Sequence, residues 1–206
     1  MLGTVAIFIY VGVEVGIPNF ANLFMTSPEI NIDPTIAGSV VGTYWFLMMI
    51  GRLCGASIGA KVSSRAMLTV VSTVGIVLVL GAIFCADNIL VNMPVFKSDI
   101  SFGFAQVPIN VMLLILCGLC TSVMWGGIFN LAVEGLGKYT AAASGLFMVM
   151  VCGGGILPLI QGGVADFAGF LNSYWVIALG LAYILFYAAI GSKNVNTDIP
   201  TDDYEA

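Results

Sequence analysis

Residues 7–22 read IFIYVGVEVGIPNFAN, an apolar run of about four helical turns with one carboxylate, Glu14, at its centre. Because a charged side chain at the centre of a bilayer costs roughly 3 kcal/mol or more, such a residue usually faces a bundle interior or a water-filled cavity. Helical spacing places Tyr10, Pro18 and Asn22 on the face of Glu14, and Pro18 has no N–H to donate to the Glu14 carbonyl. The stretch predicts a membrane helix with one polar face; a structural carboxylate bonded to a neighbouring helix is the alternative.

The composition of the chain excludes a water-soluble globular protein. Its 206 residues are 60% apolar and only 8% charged, with a mean hydropathy of +1.07, whereas soluble domains carry about 25% charged residues. The net charge of −5 excludes the basic surface of a nucleic-acid-binding protein. The chain contains no histidine, which excludes histidine metal ligands and histidine acid–base chemistry. We expect an integral membrane protein that contacts the lipid bilayer, uses no cofactor and is not an enzyme.

Six segments are apolar enough to cross a hydrocarbon core about 30 Å thick, which needs roughly 20 helical residues. These predicted spans are Thr4–Met25, Thr35–Ile58, Ala66–Ala86, Ile109–Val133, Thr140–Gly163 and Leu171–Gly191. They lack the period-2 alternation of barrel strands, so the sequence predicts an all-α membrane protein with a six-helix domain over residues 1–192. The long break at residues 87–108 is expected to fold over one membrane face. The acidic tail at residues 193–206 is expected to be disordered.

The basic residues predict the orientation of this bundle. With the N-terminus inside, five of the six basic residues lie at cytoplasmic ends or loops, and Lys97 alone lies outside. The five are Arg52, Lys61, Arg65, Lys138 and Lys193. Both termini are therefore predicted to be cytoplasmic. No lysine or arginine precedes the first span, so we also expect the sequence to begin inside a longer membrane protein.

Two glycine-rich stretches predict close helix packing. In GRLCGASIG, Gly51, Gly55 and Gly59 recur every four residues, and small residues at this spacing let two membrane helices approach closely. The stretch CGGGILP at residues 152–158 lacks the preceding strand and the following lysine of a phosphate-binding loop. Its glycines and Pro158 instead predict a flexible or closely packed helix.

The fourth span offers a counterpart to the polar face of the first. Trp125 lies near its middle, Gly126–Gly127 are expected to loosen the helix, and Ser122, Gly126 and Asn130 share one face. Transporter halves contain inverted repeats in which interrupted helices at corresponding positions mark the binding site. Spans one and four, interrupted by Pro18 and by Gly126–Gly127, form such a pair.

These features predict one ligand-binding cavity. Aromatic rings that stack on C–H faces, beside amide and carboxylate groups that pair with hydroxyls, suit a sugar. A membrane-embedded aromatic such as Trp125 can equally be a packing residue. The expected substrate-binding residues are Glu14, Trp125 and Asn130, with Tyr10, Asn22 and Tyr44 nearby.

Several stretches together resemble the C-terminal half of the fucose:proton symporter family within the major facilitator superfamily. YVGVEVGI (Tyr10–Ile17) and the Gly51–Arg52 pair are similar to the family's seventh and eighth helices. GIFNLAVEGLGKYTAAASG (Gly127–Gly145) and CGGGILPLIQGGVAD (Cys152–Asp166) resemble its tenth and eleventh helices. Glu14 in YVGVE is closer to the glucose/galactose permease branch. Where many members have a Pro-Thr pair, this chain has Gly126–Gly127.

This resemblance implies a six-helix half-bundle from a bacterial inner-membrane transporter that moves a hexose together with a cation, a proton in particular. Transport in the family proceeds by rocking of two six-helix halves, and its coupling carboxylates belong largely to the N-terminal half. The implied partners are therefore a sugar, a proton or other cation, and the missing N-terminal half or a second chain. The alternative is a non-transporting binding or scaffold protein, or an inactive fragment.

The role of Glu14 follows from the same considerations. The sequence places no lysine or arginine at the depth of Glu14, and Arg52 and Arg65 are expected to organise the cytoplasmic end without touching substrate. Glu14 would then be either hydrated and paired with sugar hydroxyls, or protonated part of the time. Because the resemblance assigns most coupling to the other half, sugar recognition is the favoured role.

Overall fold

The computed structural model describes residues 1–86, 88–97 and 100–193, and it contains six helical spans that are long and apolar enough to cross a membrane. Helices α1 (Leu2–Thr26), α2 (Pro34–Gly59) and α3 (Ser64–Phe84) form the first three spans. The fourth comprises α4 (Ile109–Thr121) and α5 (Met124–Val133), and the fifth comprises α6 (Thr140–Val149) and α7 (Gly153–Ala168). The sixth is α8 (Phe170–Phe186), which continues as a π-helical turn to Gly191. Residues 194–206 of the predicted disordered tail lie outside the described residues.

Local sequence signals explain where several helices begin. At the start of α2, the Asp33 carboxylate accepts a hydrogen bond of 2.8 Å from the backbone N–H of Thr35, and Pro34 occupies the first helical position. That backbone hydrogen bond holds the pKa of Asp33 below its ordinary value. At the start of α3, the Ser63 hydroxyl accepts from the backbone N–H of Ala66 at 3.3 Å. A glycine with φ of 91°, Gly169, separates α7 from α8.

Helix α1 lies at the centre of the bundle and packs against α2, α4, α5, α7 and α8. The first and fourth spans are the most buried of the six. The outer helices instead expose large apolar side chains, such as Leu159, Phe167 and Leu179. In water this distribution would be unfavourable, but lipid is as apolar as these side chains. The architecture is an all-α membrane half-bundle, as the sequence predicts.

The loop predicted at residues 87–108 contains a β-hairpin that the sequence interpretation missed. Strands β1 (Leu90–Phe96) and β2 (Phe102–Pro108) are antiparallel. Alternate side chains face the bundle: Met93, Val95, Ala105 and Val107. The hairpin packs on α2 and α4, and the backbone N–H of Phe96 donates to Thr43 Oγ1 at 2.9 Å. The sequence LVNMPVF shows this two-residue alternation, which was the available signal, whereas FGFAQVP places apolar Phe102 and Phe104 at exposed positions.

The glycine-rich stretch before Pro158 is closely packed, one of the two predicted alternatives. A Cβ atom on Gly153 would overlap the main chain of Phe8 in α1, and one on Gly154 would lie 2.9 Å from the Val11 side chain. From the opposite side, a Cβ atom on Gly12 would overlap Leu157. Glycines on both helices therefore let α1 and α7 approach closely.

The glycine face of α2 contacts the fourth span at two of its three predicted positions. Cβ atoms on Gly51 and Gly55 would overlap the side chains of Ser122 and Val123, respectively. The prediction is wrong for Gly59, which has no neighbouring atom within 4 Å of a built Cβ. Gly59 is the last residue of α2, where the helix has already passed its partner.

We expect Gly55→Leu to lower the yield of folded protein in detergent several-fold, because the new side chain overlaps Val123. Gly59→Leu is the matched control, since it makes the same substitution one turn later where space is open. Yield can be measured as the monodisperse peak in size-exclusion chromatography. Equal yields for the two variants would show that this face does not pack as described.

Candidate functional site

The candidate site is built around Pro18, which lies within α1 without ending the helix. The sequence interpretation treated this position as a helix break, but α1 continues to Thr26. Pro18 removes one hydrogen bond, the one that would reach the Glu14 carbonyl. The hydroxyl of Tyr44 on α2 supplies the missing donor and lies 3.2 Å from that carbonyl oxygen. Neighbouring α2 therefore compensates the proline.

The fourth span is interrupted at Ser122–Val123, not at Gly126–Gly127 as predicted. Helix α4 ends at Thr121 and α5 begins at Met124, so the two glycines lie inside a regular helix. The Ser122 hydroxyl donates to the Leu119 carbonyl at 2.6 Å. Side chains that bond to carbonyls of the preceding turn bend helices, which explains the position of the break.

The interruption is tied to α1 by Tyr10. Its hydroxyl donates to the Thr121 carbonyl at 3.2 Å. The Tyr10 ring also lies 6.0 Å from the Trp125 ring, centroid to centroid, at a tilted angle of 60°. The Thr121 hydroxyl meets the Tyr44 hydroxyl at 3.0 Å. Helices α1, α2 and α4 are thus connected at one level of the bundle.

Glu14 forms an ion pair with Arg52, which corrects the prediction that no cationic residue reaches its depth. Arg52 Nη2 lies 3.1 Å from Glu14 Oε1, and the side chains are 57% and 14% exposed, respectively. Arg52 lies seven residues before the end of α2, and its long side chain reaches Glu14 on α1. Its guanidinium lies on the helix face that meets α1. Arg52 is the functional candidate that sequence reasoning missed.

A groove of about 450 Å³ lies between α2, α3 and α5. Its walls include two of the predicted residues, Trp125 and Asn130, together with Arg52. Ser122, Gly126 and Asn130, which share one face of the fourth span, all line it. Other lining residues are Gly55, Ala56, Met67, Val123 and Gly127. Glu14 reaches this groove only through its ion pair with Arg52.

The other predicted residues take different places. Tyr10 and Tyr44 are fully buried and bond to main-chain atoms, so they support the site from behind. Asn22 is half-buried on α1 and lies outside the lining of the groove. Asn130 is exposed, and its amide lies 3.4 Å from the Ser64 hydroxyl, at the edge of a second cavity of about 510 Å³ that also contains Arg65.

A larger groove, of about 890 Å³, lies elsewhere, between α2 and the hairpin. Phe46 of α2 stacks on Phe96 at 4.8 Å and packs edge-on against Phe102 at 5.5 Å. None of the six predicted site residues lines this groove. Its walls are mainly apolar, whereas the 450 Å³ groove combines the Trp125 ring, the Asn130 amide and the Arg52 guanidinium.

Comparison with known proteins identifies the relatives of this chain. No family model matches it. It is 30% identical over 195 residues to the glucose/galactose transporter of Brucella abortus strain 2308 and 31% identical over 198 residues to a putative glucose/galactose transporter of Helicobacter pylori 26695. A shorter match, 32% identical over 92 residues, links it to the L-fucose-proton symporter of Escherichia coli K12. The chain is thus similar over nearly its whole length to about half of each of these two glucose/galactose transporters.

The structural comparison agrees with this assignment. The fold matches a crystal structure of the major facilitator superfamily transporter FucP in its outward conformation, with a TM-score of 0.78 and 21% sequence identity. The match covers 94% of this chain and 42% of that one. The chain likewise spans 42% of the Brucella and 44% of the Helicobacter relative. The chain therefore has the fold of a six-helix half of that transporter.

We expect Arg52→Gln to destabilise this half-bundle more than Glu14→Gln. Loss of Arg52 leaves a mostly buried carboxylate unpaired, at a cost of about 2 kcal/mol after allowance for solvent around the exposed guanidinium. Loss of Glu14 leaves an exposed arginine that water can solvate, at a cost below about 1 kcal/mol.

Thermal unfolding in detergent measures both effects. Arg65→Gln is the control, because the described residues give Arg65 no ion pair, and its effect should stay within about 0.5 kcal/mol. The reverse order, with Glu14→Gln the more harmful change, would contradict the burial of the carboxylate.

Proposed function

We propose that this chain forms one wall of the sugar-binding cavity of a secondary active transporter for a hexose of the glucose, galactose or fucose type. The observation that carries the proposal is the 450 Å³ groove, where Trp125 and Asn130 meet the ion-paired Arg52. Its volume falls within the roughly 300–1,000 Å³ range of small-molecule sites. The names of the relatives, glucose/galactose transporter and L-fucose-proton symporter, support the substrate class.

The groove offers complementary groups for a sugar. The half-buried indole of Trp125 provides an apolar face for C–H groups, and the exposed amide of Asn130 can both donate to and accept from hydroxyls. The Arg52 guanidinium donates hydrogen bonds, and the Glu14 carboxylate accepts them. A pair of neighbouring hydroxyls on a hexose could bond to both charged groups at once.

We assign Glu14 to sugar recognition, as the sequence interpretation favoured. In the unliganded protein the carboxylate is held by Arg52 at 3.1 Å, so a ligand that approaches Arg52 also approaches Glu14. Because hydrogen bonds to charged groups contribute about 1.5–3 kcal/mol, exchange of the ion pair for sugar hydroxyls can discriminate between epimers. Asn22, Tyr10 and Tyr44 would then support the cavity without direct contact.

The rest of the transport cycle belongs to the proposed whole transporter. A second six-helix half would close the groove and carry most of the proton coupling. The proton is inferred from the name of the Escherichia coli relative. The proposed setting is a bacterial inner membrane with both termini in the cytoplasm. A scaffold or binding protein without transport is the second candidate.

A binding experiment separates these two functions. Purified chain in nanodiscs should bind D-glucose, D-galactose or L-fucose in roughly the millimolar range, since only one wall of the cavity is present. Trp125 adjoins the site, so tryptophan emission reports binding, and isothermal titration provides a second measurement. Glu14→Gln should weaken binding of the preferred hexose about tenfold and change the order of preference among the three sugars.

Two comparisons make this test decisive. Glu134→Gln removes a carboxylate outside the 450 Å³ groove and should leave sugar affinity unchanged. Proteoliposomes with the chain alone and with a co-purifying six-helix half then show whether uptake needs the second half. If no hexose binds while the chain remains folded, the sugar-cavity proposal fails and the scaffold function stands.

A further inference from the structure

Three tyrosines are completely buried, and each donates its hydroxyl proton to a main-chain carbonyl of another helix. Tyr10 bonds to Thr121, Tyr44 to Glu14 and Tyr174 to Ile17, at distances of 3.2, 3.2 and 2.8 Å. None of the three lines the 450 Å³ groove. Of these bonds, only that of Tyr44 reaches the main chain of a residue assigned to the sugar site.

The direction of the hydrogen bonds around Tyr44 can be deduced from the number of protons. The Tyr44 oxygen lies 3.2 Å from the Glu14 carbonyl and 3.0 Å from Thr121 Oγ1. A carbonyl can only accept, so when the single proton of Tyr44 goes to Glu14, Thr121 is the donor to Tyr44. The result is an ordered series of hydrogen bonds from Thr121 through Tyr44 to Glu14.

The opposite arrangement is unfavourable. If the Thr121 hydroxyl donated to the Cys117 carbonyl, 3.2 Å away, Tyr44 could donate to Thr121 instead. The Glu14 carbonyl would then lose its only side-chain donor, at the position where Pro18 has already removed the helical one. A buried carbonyl without a donor is costly, so the series ending at Glu14 is preferred.

Helix α2 consequently holds Glu14 at two points. Tyr44 bonds to its main chain, and Arg52, about 12 Å further along the same helix, bonds to its side chain. Because both contacts come from one rigid helix, the position of the Glu14 main chain determines how well the carboxylate meets the guanidinium. A change at Tyr44 should therefore weaken the Glu14–Arg52 ion pair, although Tyr44 touches neither charged group in the hydrogen bonds of the described residues.

We propose that Tyr44 is a positioning residue whose hydroxyl, oriented by Thr121, sets the place of the Glu14 carboxylate between Arg52 and the sugar groove. The part that concerns sugar rests on the proposed function; the part that concerns the ion pair does not. Tyr174 on α8 is the comparison residue. Its hydroxyl also donates to a main-chain carbonyl of α1, but to that of Ile17 and not to that of Glu14.

The first experiment measures the ion pair without any ligand. Glu14→Gln, Arg52→Gln and the double variant form a thermodynamic cycle in thermal unfolding, and the shortfall from additivity is the coupling between the two residues. We expect a coupling of about 3 °C with Tyr44 present and less than half of that when Tyr44→Phe is added to every member of the cycle. In the control, Tyr174→Phe should lower all unfolding temperatures but leave the coupling unchanged.

The second experiment measures hexose affinity by tryptophan emission. Tyr44→Phe should weaken binding of the preferred hexose about fivefold in the parent protein. In the Glu14→Gln variant it should have no further effect on hexose affinity. Combined with Asn130→Ala, its effect should instead be additive. Thr121→Val should cause part of the same loss of hexose affinity. Thr121→Ser, which keeps the hydroxyl donor, should have the affinity of the parent protein.

The two readouts distinguish this inference from the proposed function. A Glu14–Arg52 coupling that is unchanged by Tyr44→Phe overturns the positioning role, whatever the sugar result. An equal loss of affinity from Tyr44→Phe with and without Glu14 also overturns it, because the effect would be general destabilisation. If the parent chain binds no hexose but its ion-pair coupling falls with Tyr44→Phe, the sugar site is refuted and the positioning of Glu14 is retained.

Discussion

The hydrogen bond from Tyr44 to the Glu14 carbonyl is the interaction on which the rest of the site depends. In a bilayer no water is available to a main-chain group that lacks a partner, so every interruption of a membrane helix must be compensated by the protein itself. Pro18 creates such an interruption inside α1, and Tyr44 compensates it from α2. Tyr10 makes the reciprocal contact from α1 to the end of α4 at Thr121. The two bonds join three helices where the helical hydrogen-bonding pattern is weakest.

The glycine face of α2 explains how a charged residue reaches the same level. Arg52 lies between Gly51 and Gly55, whose missing side chains let α2 lie directly against Ser122 and Val123 at the interruption of the fourth span. Close approach there brings the guanidinium beside Trp125 and the groove while it still reaches Glu14. Bulkier residues at either glycine would separate the helices and enlarge the distance that Arg52 has to bridge. Packing and charge placement are therefore linked on this one helix.

Much of this architecture could be predicted from the sequence because lipid imposes strict rules. Hydropathy located six spans, since each must supply roughly 20 apolar residues. The glycine-rich stretches of α2 and α7 indicated close packing but not which helices they meet. The sequence interpretation failed where the outcome depends on the reach or hydrogen bonding of single side chains. Arg52 was assigned to the cytoplasmic end because counting residues from a span boundary ignores the length of an arginine. The interruption at Ser122 depends on hydroxyl bonds to the preceding turn, which no periodicity shows. The hairpin was missed because its short strands were interpreted as part of a polar loop.

The exposure of Glu14 and Arg52 shows which surroundings the open side of the groove requires. Glu14 is held within the bundle with 14% of its side chain exposed, whereas 57% of the Arg52 side chain is exposed on the open side of the groove. Water can solvate an arginine in this position, and a polar ligand can bond to it, whereas lipid chains provide no hydrogen-bond acceptor. The open side must therefore face water or another polypeptide, not hydrocarbon. That requirement is independent of any sugar, and it follows from the Glu14–Arg52 geometry alone. A second six-helix half would satisfy it by enclosing an aqueous cavity, which is also the arrangement in which Trp125, Asn130 and the ion pair could act on one ligand.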